Sequence, residues 1–442
     1  MRMNITLIDP KQVSDPELLA MLMAFYSRST KPIHERLASL GDTEDQIKTA
    51  LKKYYIGYGH ASIADCASVS VFLENISLLA AKRVEATPLF NGQECSTRYI
   101  DFSKQGLTDP LDTELSRQIL KGWMFLYYEL QEPIKEHLIS LNPCPSTESE
   151  ALWTKAIQAK VFDVVRSFLP VAIQTSVALS MPMRALQEHL ANLALSKEDE
   201  FKELAKTTLY QLATRFPSAF ESTTPKVSKF YKETHQLQDY TLEYSKSRIP
   251  QPLTVTTSLD PELFRYTEEL SLRQKGEKLP NFFNALGTVK IDYALDYGSW
   301  RDIQRHRNIV YNGASHLTSL WKFSEDYLRC IPNTIISSVR YKLEQQYRDL
   351  ATLFYEYPDI SKIQYYLPLG NLVNARLVVT IPQLIYILEL RSSPTVHFTL
   401  RKLIHEIYQQ LGSYSSLLNI QADLTPEQFS LARGYQDIHE KY

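Results

Sequence analysis

Residues 68–85, SVSVFLENISLLAAKRVE, change their hydrophobic period partway along. Val69, Val71 and Leu73 fall on one face of an extended chain, with serines on the other, as in a half-buried strand. The apolar residues that follow recur at helical spacing, and Pro88 cannot continue a helix because it lacks a backbone N–H group. The stretch therefore predicts a strand that leads directly into a helix, which ends before residue 88.

The same order of elements recurs in the second half of the chain. Residues 289–295 again alternate, and a helical pattern follows through Arg305. Long helical segments come next in both halves. A Leu-Pro pair then precedes a further helical run, at residues 169–170 and at residues 367–368. This self-similarity predicts that the chain holds two diverged copies of one ancestral unit.

The predicted fold class is α/β, of the α+β type, in two tandem modules. The first module is placed at residues 1–225 and the second at residues 259–442. Residues 226–258 form a predicted connector, because prolines and a Thr/Ser stretch at 254–258 replace the periodic pattern there. Helices are predicted in the first module within residues 13–55, 112–140, 150–168 and 196–215.

Composition narrows the class of protein. The 442 residues are 44% hydrophobic and 22% charged, as in ordinary globular proteins, and they suit two or three domains. A net charge of −2 gives no overall field for nucleic acid or anionic membrane, so any phosphate site must be local. Four scattered cysteines argue against a zinc site or a disulfide framework. Neither a signal peptide nor a long apolar run is found, so a cytoplasmic location is expected.

Two short segments carry cations that point to a ligand. Arg305-His306-Arg307 ends the predicted helix of the second module, and Ser96-Thr97-Arg98-Tyr99 follows that of the first. Arginine recognises phosphate or a carbonyl-rich ring in a planar, bidentate way, and a loop hydroxyl adds another donor. A solvated basic helix end and a plain turn are the open structural alternatives. Each module has only one segment, so the modules must meet in space if both segments form one site.

With these segments the chain resembles flavin-dependent thymidylate synthase. The family's hallmark is an Arg-His-Arg triplet followed by Ser-x-Arg-Tyr, with a Gly-His-x-Ser/Thr-x-x-Glu-His segment upstream. The first module matches the upstream and downstream segments at Gly59, His60, Ser62, Asp65, Glu94, Ser96, Arg98 and Tyr99. The second module matches the triplet and its surroundings at Arg301, Arg305, His306, Arg307, Tyr311, Asn312 and Ser315.

The two modules lack different members of the family's set. The first has residues 86–88, Ala-Thr-Pro, where the triplet belongs, and the second has Leu317 where the loop arginine belongs. Complementary losses of this kind favour one composite site over independent decay of both copies. The other differences, first module against second, are Arg166 against Gln364, Arg184 against Pro382, and Leu193 against Arg391.

The resemblance implies a role for each matched residue. Arg391 would be the catalytic residue, because it would stabilise negative charge on the uracil ring. No metal is implied. The implied ligands of dUMP are Glu94, Ser96, Arg98, Arg166, Arg305 and Arg391. The implied ligands of FAD are His60, Ser62, Arg184, Arg305, His306 and Arg307.

The resemblance also implies a fold, a reaction and an assembly. Each module would be a small antiparallel sheet with long helices. The enzyme would make dTMP from dUMP, with FAD as cofactor and with methylenetetrahydrofolate and NADPH as co-substrates. Family members assemble as homotetramers, so a tandem chain would form a homodimer that contains four modules. Its partners would be these small molecules, with no nucleic acid and no membrane.

Several departures from the family pattern keep a second interpretation open. Cys66 replaces a histidine, Asp302 replaces a glutamine, and Thr380, Pro382 and Tyr386 replace flavin-contacting residues. The alternative is a catalytically inactive descendant, retained as a nucleotide- or flavin-binding or scaffolding protein. A helical interaction protein without a ligand is a third interpretation. Arginines inside apolar helices argue against it, because a charge beside apolar surface needs a partner, whether a ligand or a salt bridge.

Overall fold

The computed structural model describes residues 13, 15–27, 32–38, 61–217, 219–220, 229–230, 232–233 and 249–435. The predicted strand and helix of residues 68–85 are confirmed. The strands of the first module are β1 (Ser68–Ser77), β2 (Asn91–Glu94) and β3 (Gln174–Pro182). Its helices are α1 (Pro16–Tyr26), α2 (Ile33–Ala38), α3 (Leu78–Glu85), α4 (Glu114–Glu129), α5 (Gln131–Leu141), α6 (Glu150–Val165), α7 (Met183–Ala194) and α8 (Asp199–Arg215).

The second module repeats this order of elements. Its strands are β4 (Thr254–Leu259), β5 (Gly287–Asp296), β6 (Tyr311–Ala314) and β7 (Leu372–Thr380). Its helices are α9 (Thr267–Leu272), α10 (Tyr297–Gln304), α11 (Glu325–Leu328), α12 (Ile336–Glu356), α13 (Ile360–Ile363), α14 (Ile381–Arg391), α15 (Phe398–Leu411), α16 (Ser413–Leu417) and α17 (Ala432–Tyr435).

A strand follows each Leu-Pro pair, so the prediction of a helical run directly after it is wrong. β3 and β7 come first, and α7 and α14 start where those strands end. Buried and half-buried residues alternate along β3, which is the strand period of two. Thr254–Ser258, predicted as part of the connector, instead belong to edge strand β4, which pairs with β5. Residues 39–55, part of the range 13–55 in which helices were predicted, lie outside the described residues.

The predicted fold class is confirmed, and the two sheets share one strand order, as the predicted repeat would require. The first sheet has the order β1-β3-β2, and the second has β4-β5-β7-β6. β5, β7 and β6 thus take the places of β1, β3 and β2. Both sheets are small and antiparallel, and helices make up most of the rest of the described chain.

The two Leu-Pro segments pair with each other across a local twofold. Their prolines form an antiparallel bridge. The Val171 N–H donates to the Leu367 carbonyl at 2.9 Å, and the equivalent Leu369 N–H donates to the Leu169 carbonyl at 2.8 Å. Reciprocal contacts between equivalent residues are the mark of an isologous interface. The two copies of the repeat therefore meet face to face at this point.

The described residues divide into two compact units that do not coincide with the modules. The first unit takes its residues from Met1–Glu74, Ala80–Glu94 and Ser176–Leu237. The second takes them from Asn75–Leu79, Cys95–Thr175 and Gln238–Tyr442. Residues of both modules therefore occupy the second unit. The module boundaries describe the sequence repeat and remain a prediction.

Element bounds support the equivalences drawn between the modules. Helix α3 follows β1, helix α10 follows the equivalent strand β5, and both helices have eight residues. Residues 86–88 therefore correspond to residues 305–307. The short 3-10 segment Arg166–Phe168 likewise corresponds to Gln364–Tyr366. The arginine triplet and the arginine before Leu-Pro were therefore retained in different copies.

One predicted equivalence needs a correction of one residue. Glu94 lies opposite Val177 in the first sheet, and Ala314 lies opposite Ala375 in the second. Continuing from this register, the counterpart of Arg98 is Thr318 rather than Leu317. Neither residue is an arginine, so the second module still lacks the loop cation.

Candidate anion-binding site

Arginines that come from both modules lie in the second compact unit. Arg98 lies in the loop after β2, and Arg166 begins the 3-10 turn at the end of α6. Arg305 caps the C-terminus of α10, and Arg391 is the last residue of α14. Three of the four thus lie at helix C-termini, where a cation is favourable because it faces unpaired backbone carbonyls.

Asp302 lies among these four arginines. Burial alone would raise the pKa of its carboxyl group. The charges of Arg391, Arg166, Arg305 and Arg98 outweigh burial and hold that pKa well below its usual range. Coulombic interactions weaken with distance and screening, so all four arginines are near enough to the Asp302 carboxylate to affect its ionisation. Arginines from both predicted modules therefore act on the same carboxylate, and their service to one ligand remains a prediction.

Arg391 is fixed by two hydrogen bonds within its own module. Its Nε donates to His306 Nε2 at 2.9 Å, and its Nη2 donates to the Asp302 carbonyl at 2.8 Å. Burial lowers the pKa of Arg391; Asp302 opposes that shift, while Arg305 and Arg98 add to it. A guanidinium group held in one orientation and crowded by like charges is suited to an anionic or electron-rich ligand.

His306 is neutral in this setting. Its Nε2 accepts the bond from Arg391, so the ring carries its proton on Nδ1. Burial, reinforced by the charge of Arg391 and opposed by Asp302, lowers the pKa of His306 to about 3. Tyr386 packs edge-on against the ring at 5.8 Å between centroids. The positive charge of this site therefore comes from its arginines and not from His306.

We expect His306 to make the protein less stable in acid. The ordinary pKa of 6.5 applies to the unfolded chain and about 3 to the folded one, so the unfolded chain binds more protons between these values. Stability is therefore lost as the pH falls through that range, by about 2 kcal/mol between pH 7 and pH 5 for this residue. Urea unfolding at both pH values should show a smaller loss for His306→Gln. An equal loss in both proteins would contradict this assignment.

Arg98 is oriented by a carboxylate of its own module. Its Nε and Nη2 donate to the two carboxylate oxygens of Asp163 at 2.7 and 2.9 Å, and Nη2 also donates to the Thr395 carbonyl at 3.3 Å. A bidentate pair of this kind fixes the guanidinium plane. Burial would raise the pKa of Asp163, but Arg98 and Arg433 hold it well below its usual range. Within the described residues, Nη1 is the donor of the Arg98 side chain that makes no hydrogen bond.

Arg166 is a buried cation that makes few hydrogen bonds to the described part of the protein. The residue is only 2% exposed. Its Nη2 donates to Ser299 Oγ at 3.2 Å, and its Nε has no acceptor among the described residues. A buried charged donor without an acceptor carries a large desolvation cost. An anionic ligand would supply the missing acceptor.

A buried hydrogen-bond network of the second module supports Arg166. Ser299 Oγ lies 2.6 Å from Thr399 Oγ1, which donates to Asp296 Oδ2 at 2.7 Å. Asp296 also caps α10, because its Oδ1 accepts the Ser299 N–H at 2.8 Å. The network therefore ties the first module's Arg166 to the helix that ends at Arg305.

Two predicted ligands lie in the first compact unit, and each is already ion-paired there. Glu94 is buried, and its carboxylate lies 2.7 Å from Lys82 Nζ. The Nε of Arg184 donates to Asp65 Oδ1 at 2.7 Å, and its Nη2 bonds the other oxygen of the same carboxylate. Their assignment to dUMP and FAD remains a prediction.

The remaining predicted residues are placed as follows. Ser96 Oγ accepts the backbone N–H of Arg98 at 3.3 Å, so it shapes the loop that presents that arginine. Arg307 is half-buried in the second unit, directly after His306. Ser62 is exposed in the first unit, and His60 lies outside the described residues.

Asp163 and Arg433 also belong to the group of charged residues around Arg98, although no sequence motif includes them. Asp163 precedes Arg166 by three residues, and this spacing puts both at one face of a helix end, which is a weak signal in the sequence. Arg433 donates to Asp163 Oδ1 at 3.3 Å from a segment far along the chain. No local pattern around Arg433 indicates this contact.

The chemistry of the site depends on arginine donors. Among the described residues, no group of three or more histidine, cysteine, aspartate or glutamate side chains is arranged to hold a metal ion. Across the same part of the chain, no helix combines the length and the hydrophobicity needed to cross a bilayer.

The fold is α/β with two small antiparallel sheets, and arginines from both repeats lie in its second compact unit. The family described as thymidylate synthase complementing protein matches residues 6–218. This match covers slightly less than half of the 442 residues, so the first half of the chain resembles that family. The match contains Arg98, Arg166 and Arg184 and ends before the Arg-His-Arg triplet, which lies in the second copy.

Similar proteins have the name UPF0159. One from Chlamydia muridarum (strain MoPn / Nigg) is 23% identical over 426 residues, which cover 82% of this chain and 78% of the relative. One from Chlamydia pneumoniae is 22% identical, with the same shares covered. One from Thermoplasma acidophilum is 19% identical and covers 89% of this chain and 92% of the relative. These alignments extend beyond residues 6–218, so the likeness includes part of the second module.

Proposed function

We propose that the protein is a FAD-dependent thymidylate synthase that makes dTMP from dUMP, with methylenetetrahydrofolate and a nicotinamide reductant. The observation that supports it most is that Arg98 and Arg166 of one module and Arg305 and Arg391 of the other all lower the pKa of the Asp302 carboxyl group. These are the cations that the resemblance assigns to one substrate. The proposed assembly is a homodimer of tandem chains.

The nucleotide phosphate would take the donors that the protein leaves unused. Arg166 offers a buried Nε, and Arg98 offers Nη1 from a guanidinium plane fixed by Asp163. Arg305, at the end of α10, would add a third cation. Charge-assisted hydrogen bonds to a phosphate dianion are about twice as strong as neutral ones, so they would offset the cost of burying Arg166.

The uracil ring would lie against Arg391. Two edges of its guanidinium are held by His306 and by the Asp302 carbonyl, which leaves Nη1 for the substrate. A preorganised donor of this kind stabilises negative charge as it develops on the ring, without reorganising during the reaction.

The residues around His306 fit a flavin. A neutral imidazole packed edge-on against Tyr386, with guanidinium groups beside it, suits an aromatic ring system that carries carbonyl acceptors. Arg305, His306 and Arg307 would hold FAD. FAD, when bound, would supply the redox chemistry, and the protein would orient it.

A second candidate is an inactive descendant that still binds nucleotide. It is favoured by the ion pairs of Glu94 with Lys82 and of Arg184 with Asp65, which occupy two predicted ligands. It would keep the phosphate cluster of the second unit and lose turnover.

Two measurements separate the candidates. The purified full-length protein is expected to be yellow, or to take up FAD with a shift of its visible absorbance. It is also expected to release tritium from [5-³H]dUMP when methylenetetrahydrofolate and NADPH are present. Binding of dUMP without tritium release would support the inactive descendant. Failure to bind either FAD or dUMP would rule out both.

A further inference from the structure

The C-terminal strap, residues 419–435, is hydrogen-bonded to residues that follow the predicted catalytic Arg391. The Asp423 N–H donates to Ser392 Oγ at 2.8 Å, directly after the last residue of α14. The Thr425 carbonyl accepts a bond of 2.7 Å from Arg401 Nη2, on α15. The course of the strap is therefore fixed by the second module, outside the residues matched by the family.

Arg433 lies on this strap, and its side chain contacts the residues around Arg98. It is 7% exposed, and its guanidinium lies 4.6 Å above the ring of Tyr99. Its Nη1 donates to the Thr395 carbonyl and its Nη2 to Asp163 Oδ1, each at 3.3 Å. Arg433 thus joins the Ser96–Tyr99 loop and α6 of the first module to the turn after Arg391 in the second.

Sharing of Asp163 changes the charge that Arg98 presents. If Arg98 alone faced Asp163, the pair would be neutral and would attract a phosphate weakly. With Arg433 on the same carboxylate, two cations face one anion and a net positive charge remains. The Nε of Arg433 also has no acceptor among the described residues, so its charge is incompletely compensated by the protein.

We propose that Arg433 is a positioning residue for the nucleotide phosphate. It acts through Asp163 and Arg98, by leaving the charge of Arg98 available and by holding the loop that carries it. This inference rests on the proposed function for the identity of the phosphate ester, and it adds a residue that no motif of the two modules contains.

Calorimetric binding of dUMP, 2′-deoxyuridine and inorganic phosphate to the full-length protein tests it. Arg433→Gln should weaken dUMP and phosphate about tenfold, because one unit of positive charge is lost near the anion, and should leave deoxyuridine unchanged. Arg433→Lys retains the charge and should lose less than about threefold. Arg340→Gln, in an exposed pair with Glu325, is the matched control and should bind all three compounds like the unchanged protein.

The outcomes separate this inference from the function. Equal dUMP affinity in Arg433→Gln and the unchanged protein would overturn it. An equal loss for dUMP and deoxyuridine would also overturn it, because that pattern indicates a general structural role. If Arg433→Gln does not fold, the folded Arg433→Lys decides instead: a loss of dUMP affinity greater than about threefold, matched by an equal loss of deoxyuridine affinity, would overturn the proposal. Failure of the unchanged protein to bind dUMP or phosphate would instead end the proposed function.

Discussion

Arg166→Gln is expected to weaken dUMP binding about a hundredfold, with a much smaller net effect on the stability of the free protein. The unchanged side chain is buried, with a hydrogen bond to Ser299 at 3.2 Å and an Nε that has no acceptor among the described residues. Removing this buried charge relieves a desolvation cost in the free protein but also withdraws a cation from Asp302, so these effects on stability oppose each other. A bound phosphate, by contrast, simply loses a strong donor. Calorimetric dUMP binding and urea unfolding measure the two effects.

The chain supplies a natural precedent and a control for this change. Gln364 occupies the equivalent 3-10 turn of the second module, so glutamine is compatible with that backbone. Arg376 pairs with Asp292 across β5 and β7 of the same unit, and Arg376→Gln should lower stability by about 1 kcal/mol without affecting dUMP. Unaltered dUMP affinity in Arg166→Gln would show that Arg166 does not serve the nucleotide.

Arg391→Lys is expected to reduce the rate of tritium release from [5-³H]dUMP by about a hundredfold to a thousandfold. Lysine keeps the charge, but its donors all sit on one nitrogen atom and do not reproduce the separate positions from which Arg391 Nε and Nη2 bond His306 Nε2 and the Asp302 carbonyl. The loss should appear in kcat, with dUMP affinity changed by less than about tenfold, because the interaction strengthens in the transition state.

An exposed arginine provides the comparison for Arg391. Arg340→Lys, at the surface pair with Glu325, should leave the rate unchanged. A rate for Arg391→Lys equal to that of the unchanged protein would remove Arg391 from the reaction. A loss confined to dUMP affinity would reassign Arg391 to substrate binding.

Local periodicity was enough to predict part of the fold. The change of period in residues 68–85 located β1 and α3, and its recurrence located β5 and α10. β3 and β7 were not predicted, because each continues without a turn into an apolar helix and is masked by the helical pattern beyond it. The Thr/Ser stretch of the predicted connector forms strand β4 because it pairs with β5. No local sequence pattern specifies that long-range pairing.

The candidate site was predictable as a set of cations but not in its geometry. The divided motif predicted that Arg98 and Arg305 serve one site. Both arginines lower the pKa of the Asp302 carboxyl group. The partner that orients Arg98 is 65 residues away in sequence, and the arginine that shares this partner lies on the C-terminal strap. Contacts at such separations depend on the folded chain, so sequence spacing alone does not indicate them.

A crystal structure of the full-length protein with dUMP tests most directly whether two modules build one site. The expected result is a phosphate within about 3.2 Å of the guanidinium groups of both Arg166 and Arg305, one from each repeat. A nucleotide bound by the arginines of a single repeat, with the other repeat's arginines directed elsewhere, would contradict the composite site.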